Sequence, residues 1–125
     1  MKVYTEHDLP RKVPGEHRPM VSIAMTAYNH QRTIARAIDS VLMQEVDFDY
    51  EIIIGEDGSS DNTRNIIAKY CEKYPDIIKP IFYEKNVGMK QNYLNIREAC
   101  KGIYRTTLEG DDYWLTCDRL TRQVD

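Results

Sequence analysis

From residue 20 onward, short apolar runs alternate with segments of helical periodicity. The first run, residues 21–25, ends at the polar Asn29-His30-Gln31. Ile34, Ile38, Val41 and Leu42 then recur at i, i+4, i+7 and i+8, which predicts a helix with one apolar face. Residues 50–54 are β-branched and nearly continuous, as a strand buried on both faces should be. A second helix places Ile66, Ile67 and Tyr70 on one side and stops before Pro75. The run at 77–83 contains Pro80, which cannot donate a ladder hydrogen bond, so an edge strand is expected. After Asn86-Val87-Gly88 a third helix is predicted with Met89, Tyr93, Ile96 and Cys100 on its buried stripe and Gly102 as its C′ residue. A fourth strand fits 103–108, and a last helix starts near Thr116 or Asp118.

Alternating strands and helices imply an α/β fold of three layers, α/β/α, with a mostly parallel sheet and right-handed crossovers. Ligands bind such sheets beyond the carboxyl ends of the strands. Three polar loops fall there: Ala27-Tyr28-Asn29, Glu56-Asp57-Gly58-Ser59 and Glu109-Gly110-Asp111-Asp112. Residues 1–18 lack either periodicity and carry Pro10 and Pro14, so they read as a flexible leader to an ordered unit spanning 19–125.

Composition changes this picture little. The 125 residues carry 17 Lys+Arg and 20 Asp+Glu, a formal net charge of −3, which argues against nucleic-acid binding through a broad basic surface. No run approaches the roughly 20 apolar residues of a membrane span, and residues 1–10 lack the apolar core of a secretory signal. Cys71, Cys100 and Cys117 show no CxxC spacing and read as free thiols, consistent with a cytoplasmic chain.

The loops carry the chemistry. Glu109, Asp111 and Asp112 put three hard-oxygen carboxylates in four residues, a pattern suited to Mg²⁺ or Mn²⁺. The same residues read equally as an acidic turn capping the last helix. Asp57, ionised, accepts hydrogen bonds from a base N–H or from ribose, whereas Gly58, Ser59 and Asp61 are better explained as turn chemistry. Tyr28 offers a stacking face, with Thr26 and Asn29 adding polar groups. Alternatively, Tyr28 packs between helix and sheet while Asn29 caps the first helix. Trp114 reads as an anchor for the last helix. The chain lacks GxGxxG, GxxxxGK[ST] and GxSxG, and His7, His17 and His30 have no metal-ligand spacing.

Taken together, residues 21–29, the run from Ile52 to Thr63, the Asn86-Val87-Gly88 turn, and Leu108 to Trp114 with Asp118-Arg119-Leu120 resemble family 2 glycosyltransferases. The resemblance covers about residues 19–125. It implies a GT-A fold and inverting transfer of a sugar from a nucleotide-diphosphate donor, UDP-linked as a rule in the family. Carried over, the nucleotide site comprises Thr26, Ala27, Tyr28, Asn29, Glu56, Asp57, Lys90 and Asp111, with Asp111 and Asp112 around the metal. Glu109 replaces the first Asp of the family's DxD-like motif. The implied general base lies beyond Asp125, so the chain is expected to be the donor-binding, N-terminal half of a truncated GT-A domain, inactive alone. A glycan or lipid-linked acceptor, cell-surface polysaccharide synthesis and peripheral association with the inner membrane face are further family-level expectations. A non-catalytic nucleotide-binding module and a metal-dependent nucleotidyltransferase are the competing readings. The latter is disfavoured because Ala27-Tyr28-Asn29-His30 offers little to a triphosphate.

Overall fold

A computed structural model describes residues 3–4 and 18–114. Eight elements follow one another: β1 (Val3–Tyr4), β2 (Val21–Ala27), α1 (Ile34–Leu42), β3 (Tyr50–Glu56), α2 (Thr63–Lys73), β4 (Ile78–Phe82), α3 (Met89–Ala99) and β5 (Tyr104–Glu109). The sheet order is β1-β5-β2-β3-β4. The four long strands are parallel, and only β1 runs antiparallel, against β5. The α/β class, the parallel sheet and the edge position of the proline-bearing β4 agree with the pattern of the chain.

Strand alternation divides the core in two. Ile23, Met25, Ile52 and Ile54 face α1 and α2 with Ile34, Ile38, Val41 and Ile67. Ala24 and Ile53 face the opposite side with Ile96 of α3 and Cys100, its C-cap. These side chains are at most 2% exposed, so each helix is held mainly by its apolar stripe. The aliphatic run of β3 is continuous because both of its faces are covered.

Four expectations need correction. Val3–Tyr4 forms a strand inside the segment read as a leader; two residues are too few to show a period. The rest of residues 1–17, and the last helix with Cys117, lie outside the described residues. Met89 is not on the buried stripe of α3 but 72% exposed, because the first turn of the helix overhangs the end of the sheet; Asn92 is buried instead. Gly102 is not the C′ residue, since α3 ends at an extended Cys100. Its lack of a side chain serves packing: a Cβ there would lie 2.5 Å from the Ser22 amide nitrogen. Finally, Asn29 does not cap α1, whose N-cap is Thr33.

At the amino end of the sheet, buried Glu51 accepts hydrogen bonds from Ser22 Oγ and the Lys101 amide and pairs with Lys79 at 3.3 Å. Nearby, burial and the Glu51 charge push the Cys100 thiol up to about 12. Cys71 and Cys100 are free thiols, as their spacing predicts. Trp114 is buried in the α1/α2 side of the core.

Candidate functional site

The carboxyl ends of β2, β3 and β5 open onto one cleft of about 240 Å³. Thr26, Ala27, Tyr28, Asp57 and Asp111, five of the eight residues expected at the nucleotide site, line it. His30, Asn86, Gly88, Met89, Asn92 and Glu109 complete its walls.

Alternation explains which carboxylate reaches the cleft. Glu56 shares the α1/α2 face of β3 with Ile52 and Ile54, whereas Asp57, one residue later, points to the α3 face. Glu56 is therefore fully buried and outside the cleft. Its Oε1 accepts the Ser59 amide at 2.7 Å, and its Oε2 lies 3.6 Å from Arg64 Nε. Glu56 holds the loop rather than lining the cleft.

Asp57 is 3% exposed, and its two oxygens accept the amides of Val87 at 2.7 Å and Gly88 at 3.1 Å. Asn86 Nδ2 returns a bond to the Asp57 carbonyl. The loop's own turn chemistry makes no demand on Asp57; its structural duty comes from the Asn86-Val87-Gly88 turn before α3, which presents two amides to it. Each carboxylate oxygen keeps acceptor capacity beyond these bonds. Gly58, at φ +69°, permits the approach: a Cβ would sit 2.9 Å from the Asn86 nitrogen.

The first two loops are laced together. The Asn29 amide donates to Ser59 Oγ, the Ser60 amide to Asn29 Oδ1, the His30 amide to Thr63 Oγ1, the Gln31 amide to Asp61 Oδ2 and the Asn62 amide to Gln31 Oε1. Asn29 adopts φ +53°, a conformation asparagine tolerates, and lies outside the cleft. Asp61, one residue before Asn62, the N-cap of α2, also accepts the Thr63 amide at 2.9 Å. Desolvation pushes the Asp61 carboxyl up, but its bonds from Thr63 and Gln31 outweigh this and hold it below the usual value.

The third loop is built otherwise. The Gly110 amide donates to the Thr26 carbonyl and Thr33 Oγ1 donates to the Gly110 carbonyl, both at 2.8 Å. Glu109 and Asp111 line the cleft, exposed, and among the described residues no side chain bonds either carboxylate. Asp112 is not on the cleft wall; its Oδ1 accepts the Tyr113 amide at 2.8 Å. The three clustered carboxylates therefore present two to the cleft, and among the described residues no three His, Cys, Asp or Glu side chains converge as a metal site. Two hard-oxygen donors still fit Mg²⁺ or Mn²⁺ when substrate phosphate completes the shell. Lys90 is exposed on α3, outside the cleft.

Some lining residues had a sequence signal. Asn86 and Gly88 belong to the N-x-G turn. His30 lacks metal-ligand spacing and so carries no signal in the sequence. Asn92 was hidden by a helical stripe that reads Met89 and Tyr93 as the inward positions. Gly55 belongs with Asn92, which donates to the Gly55 carbonyl at 3.0 Å and fills the space a Cβ would need.

Comparison with known proteins adds to this geometry. The model of the family described as glycosyl transferase family 2 matches residues 22–125. An uncharacterised glycosyltransferase of Nostoc sp. is 40% identical over 94 residues, 75% of this chain and 29% of that protein. An uncharacterised protein of Mycobacterium tuberculosis is 36% identical over 104 residues, 83% of this chain and 30% of that one. The chain thus spans under a third of the length of these curated relatives. Among solved structures, a mannosyltransferase from Pyrobaculum calidifontis in complex with GDP-Man and Mn²⁺ superimposes with a TM-score of 0.75 at 20% identity, over 95% of this chain and 36% of that one. S. aureus TarS 1–349 in complex with UDP-GlcNAc gives 0.71 at 24%, over 82% and 29%. These likenesses bear on the fold.

Proposed function

We propose a function from one premise: the chain belongs to glycosyl transferase family 2. The cleft is then the donor site of a glycosyltransferase that moves a sugar, with inversion, from a nucleotide diphosphate to an acceptor hydroxyl. The observation carrying this reading is the convergence of Tyr28, Asp57, Glu109 and Asp111 on one cleft at the carboxyl ends of β2, β3 and β5. Tyr28, 46% exposed, offers a face for a base, and Asp57 has acceptor capacity for a base N–H. Asp111 and Glu109 would hold a divalent cation together with donor phosphate. When bound, such a cation neutralises charge developing on the departing diphosphate. The solved neighbours in complex with GDP-Man and Mn²⁺ and with UDP-GlcNAc support a nucleotide-sugar ligand.

This chain accounts for donor binding. The base that deprotonates the acceptor is assigned to the remainder of a longer protein, and a glycan or lipid-linked acceptor in cell-surface polysaccharide synthesis remains part of the same reading. Titration of the chain with UDP and GDP, with and without Mn²⁺, tests it. Mn²⁺ should raise the affinity for at least one of the two, and Asp111→Ala should abolish the gain. Binding indifferent to Mn²⁺ and to Asp111→Ala would remove the metal-diphosphate reading and favour a plain nucleotide-binding module.

A further inference from the structure

A diphosphate entering this cleft meets three carboxylates, Asp57, Glu109 and Asp111. Among the described residues, His30 is the one ionisable group on those walls able to carry positive charge. His30 also lines a second cavity of about 270 Å³, together with Asp111 and Arg32. It therefore stands between the two spaces, beside the carboxylate assigned to the metal.

Its placement is specified on all sides. The His30 amide donates to Thr63 Oγ1 at 2.8 Å, and its carbonyl accepts the Thr33 and Ile34 amides at 3.0 and 2.8 Å. Nδ1 accepts the Tyr28 amide at 3.4 Å. Across from it, a Cβ on Gly110 would come within 2.7 Å of Nδ1, so glycine at the centre of Glu109-Gly110-Asp111 makes room for the ring. With Nδ1 acting as an acceptor, the neutral ring carries its hydrogen on Nε2.

We propose that His30 is a donor-contacting residue, with Nε2–H directed to an oxygen of the diphosphate beside Asp111. This inference rests on the donor-site reading above and adds a recognition group to it. A hydrogen bond to a charged phosphate is among the stronger kinds, so its loss should be measurable without metal-dependent turnover.

Calorimetry of nucleoside and nucleoside diphosphate, with uracil and with guanine as base, tests it on wild type, His30→Ala, His30→Asn and His30→Gln in the presence of Mn²⁺. Asn can replace only the Nδ1 function, toward Tyr28, whereas Gln places an N–H near the position of Nε2. The preference for diphosphate over nucleoside should fall about tenfold in Ala and Asn, the loss of about 1.4 kcal/mol, and persist in Gln. Equal weakening of nucleoside and diphosphate, restored by Asn rather than Gln, would overturn the assignment and make His30 a structural prop for Tyr28. An unchanged preference in Ala overturns it as well. A wild-type chain that binds none of the four ligands removes the donor-site reading itself, and the role of His30 with it.

Discussion

On one side of the cleft, Asp57 is tied to the amides of Val87 and Gly88, and Asn29, Gln31, Ser59, Asp61 and Thr63 lace the first two loops together. Across the cleft, the carboxylates of Glu109 and Asp111 flank Gly110, whose amide and carbonyl tie the turn to Thr26 of β2 and to Thr33, the N-cap of α1. One side is finished by its own polar groups. The other presents negative charge without a partner among the described residues, and a cation with substrate phosphate would complete it. The contrast separates residues that shape a binding surface before the ligand arrives from residues whose contacts the ligand supplies.

Breaking the finished side should cost stability. The largest effect is expected for Gly55→Ala, whose Cβ would lie 1.9 Å from Asn92 Oδ1 and 2.7 Å from Ile96 Cδ1. Urea denaturation should show a loss of about 3 kcal/mol, the upper range for overpacking. Asp57→Ala leaves two amides of the 86–88 turn without their acceptor and should cost about 2 kcal/mol in the same assay. Asn29→Ala removes the acceptor of the exposed Ser60 amide and puts alanine, which tolerates left-handed backbone less well than asparagine, at φ +53°, for a loss of about 1 kcal/mol. Breaking the other side should not cost stability. Asp111→Ala should change it by less than about 0.5 kcal/mol while removing the Mn²⁺-dependent gain in nucleotide affinity.

The smallest expected effect concerns pH. Hydrogen bonds hold the folded Asp61 carboxyl below its usual value, so the stability it adds is present above the ordinary carboxylate range. That contribution is lost as pH falls through the lowered folded value. Asp61→Asn should flatten this acid limb of a stability–pH profile.

How far the chain could be read depended on whether a residue's role was local. Helical and strand periods located the long strands and three helices, and Pro80 placed β4 at an edge. Strand β1 escaped because two residues carry no period. The cleft was legible through its loops, since parallel topology sends their carboxylates to one edge whatever the side-chain details. Glu56 and Asp57 are adjacent in sequence, yet the strand sends them to opposite faces. Their division of labour depends on Ser59, Arg64 and the 86–88 turn, which no spacing reveals. Likewise Met89 and Asn92 exchange their expected places because α3 overhangs the sheet end, a tertiary fact. Gly102 and Gly110 resemble ordinary turn glycines until the atoms crowding them, at Ser22 and His30, are known.

Hydrogen–deuterium exchange resolved at single amides tests the contrast most directly. Without ligand, the Ser60, Val87 and Gly88 amides should already be protected, while the Asp111 amide, which has no acceptor among the described residues, exchanges fast. Adding a nucleoside diphosphate with Mn²⁺ should slow Asp111 and leave the first three nearly unchanged. Fast exchange at Val87 and Gly88 in the free chain, or ligand protection confined to them, would contradict a cleft with one side built in advance and the other completed by its ligand.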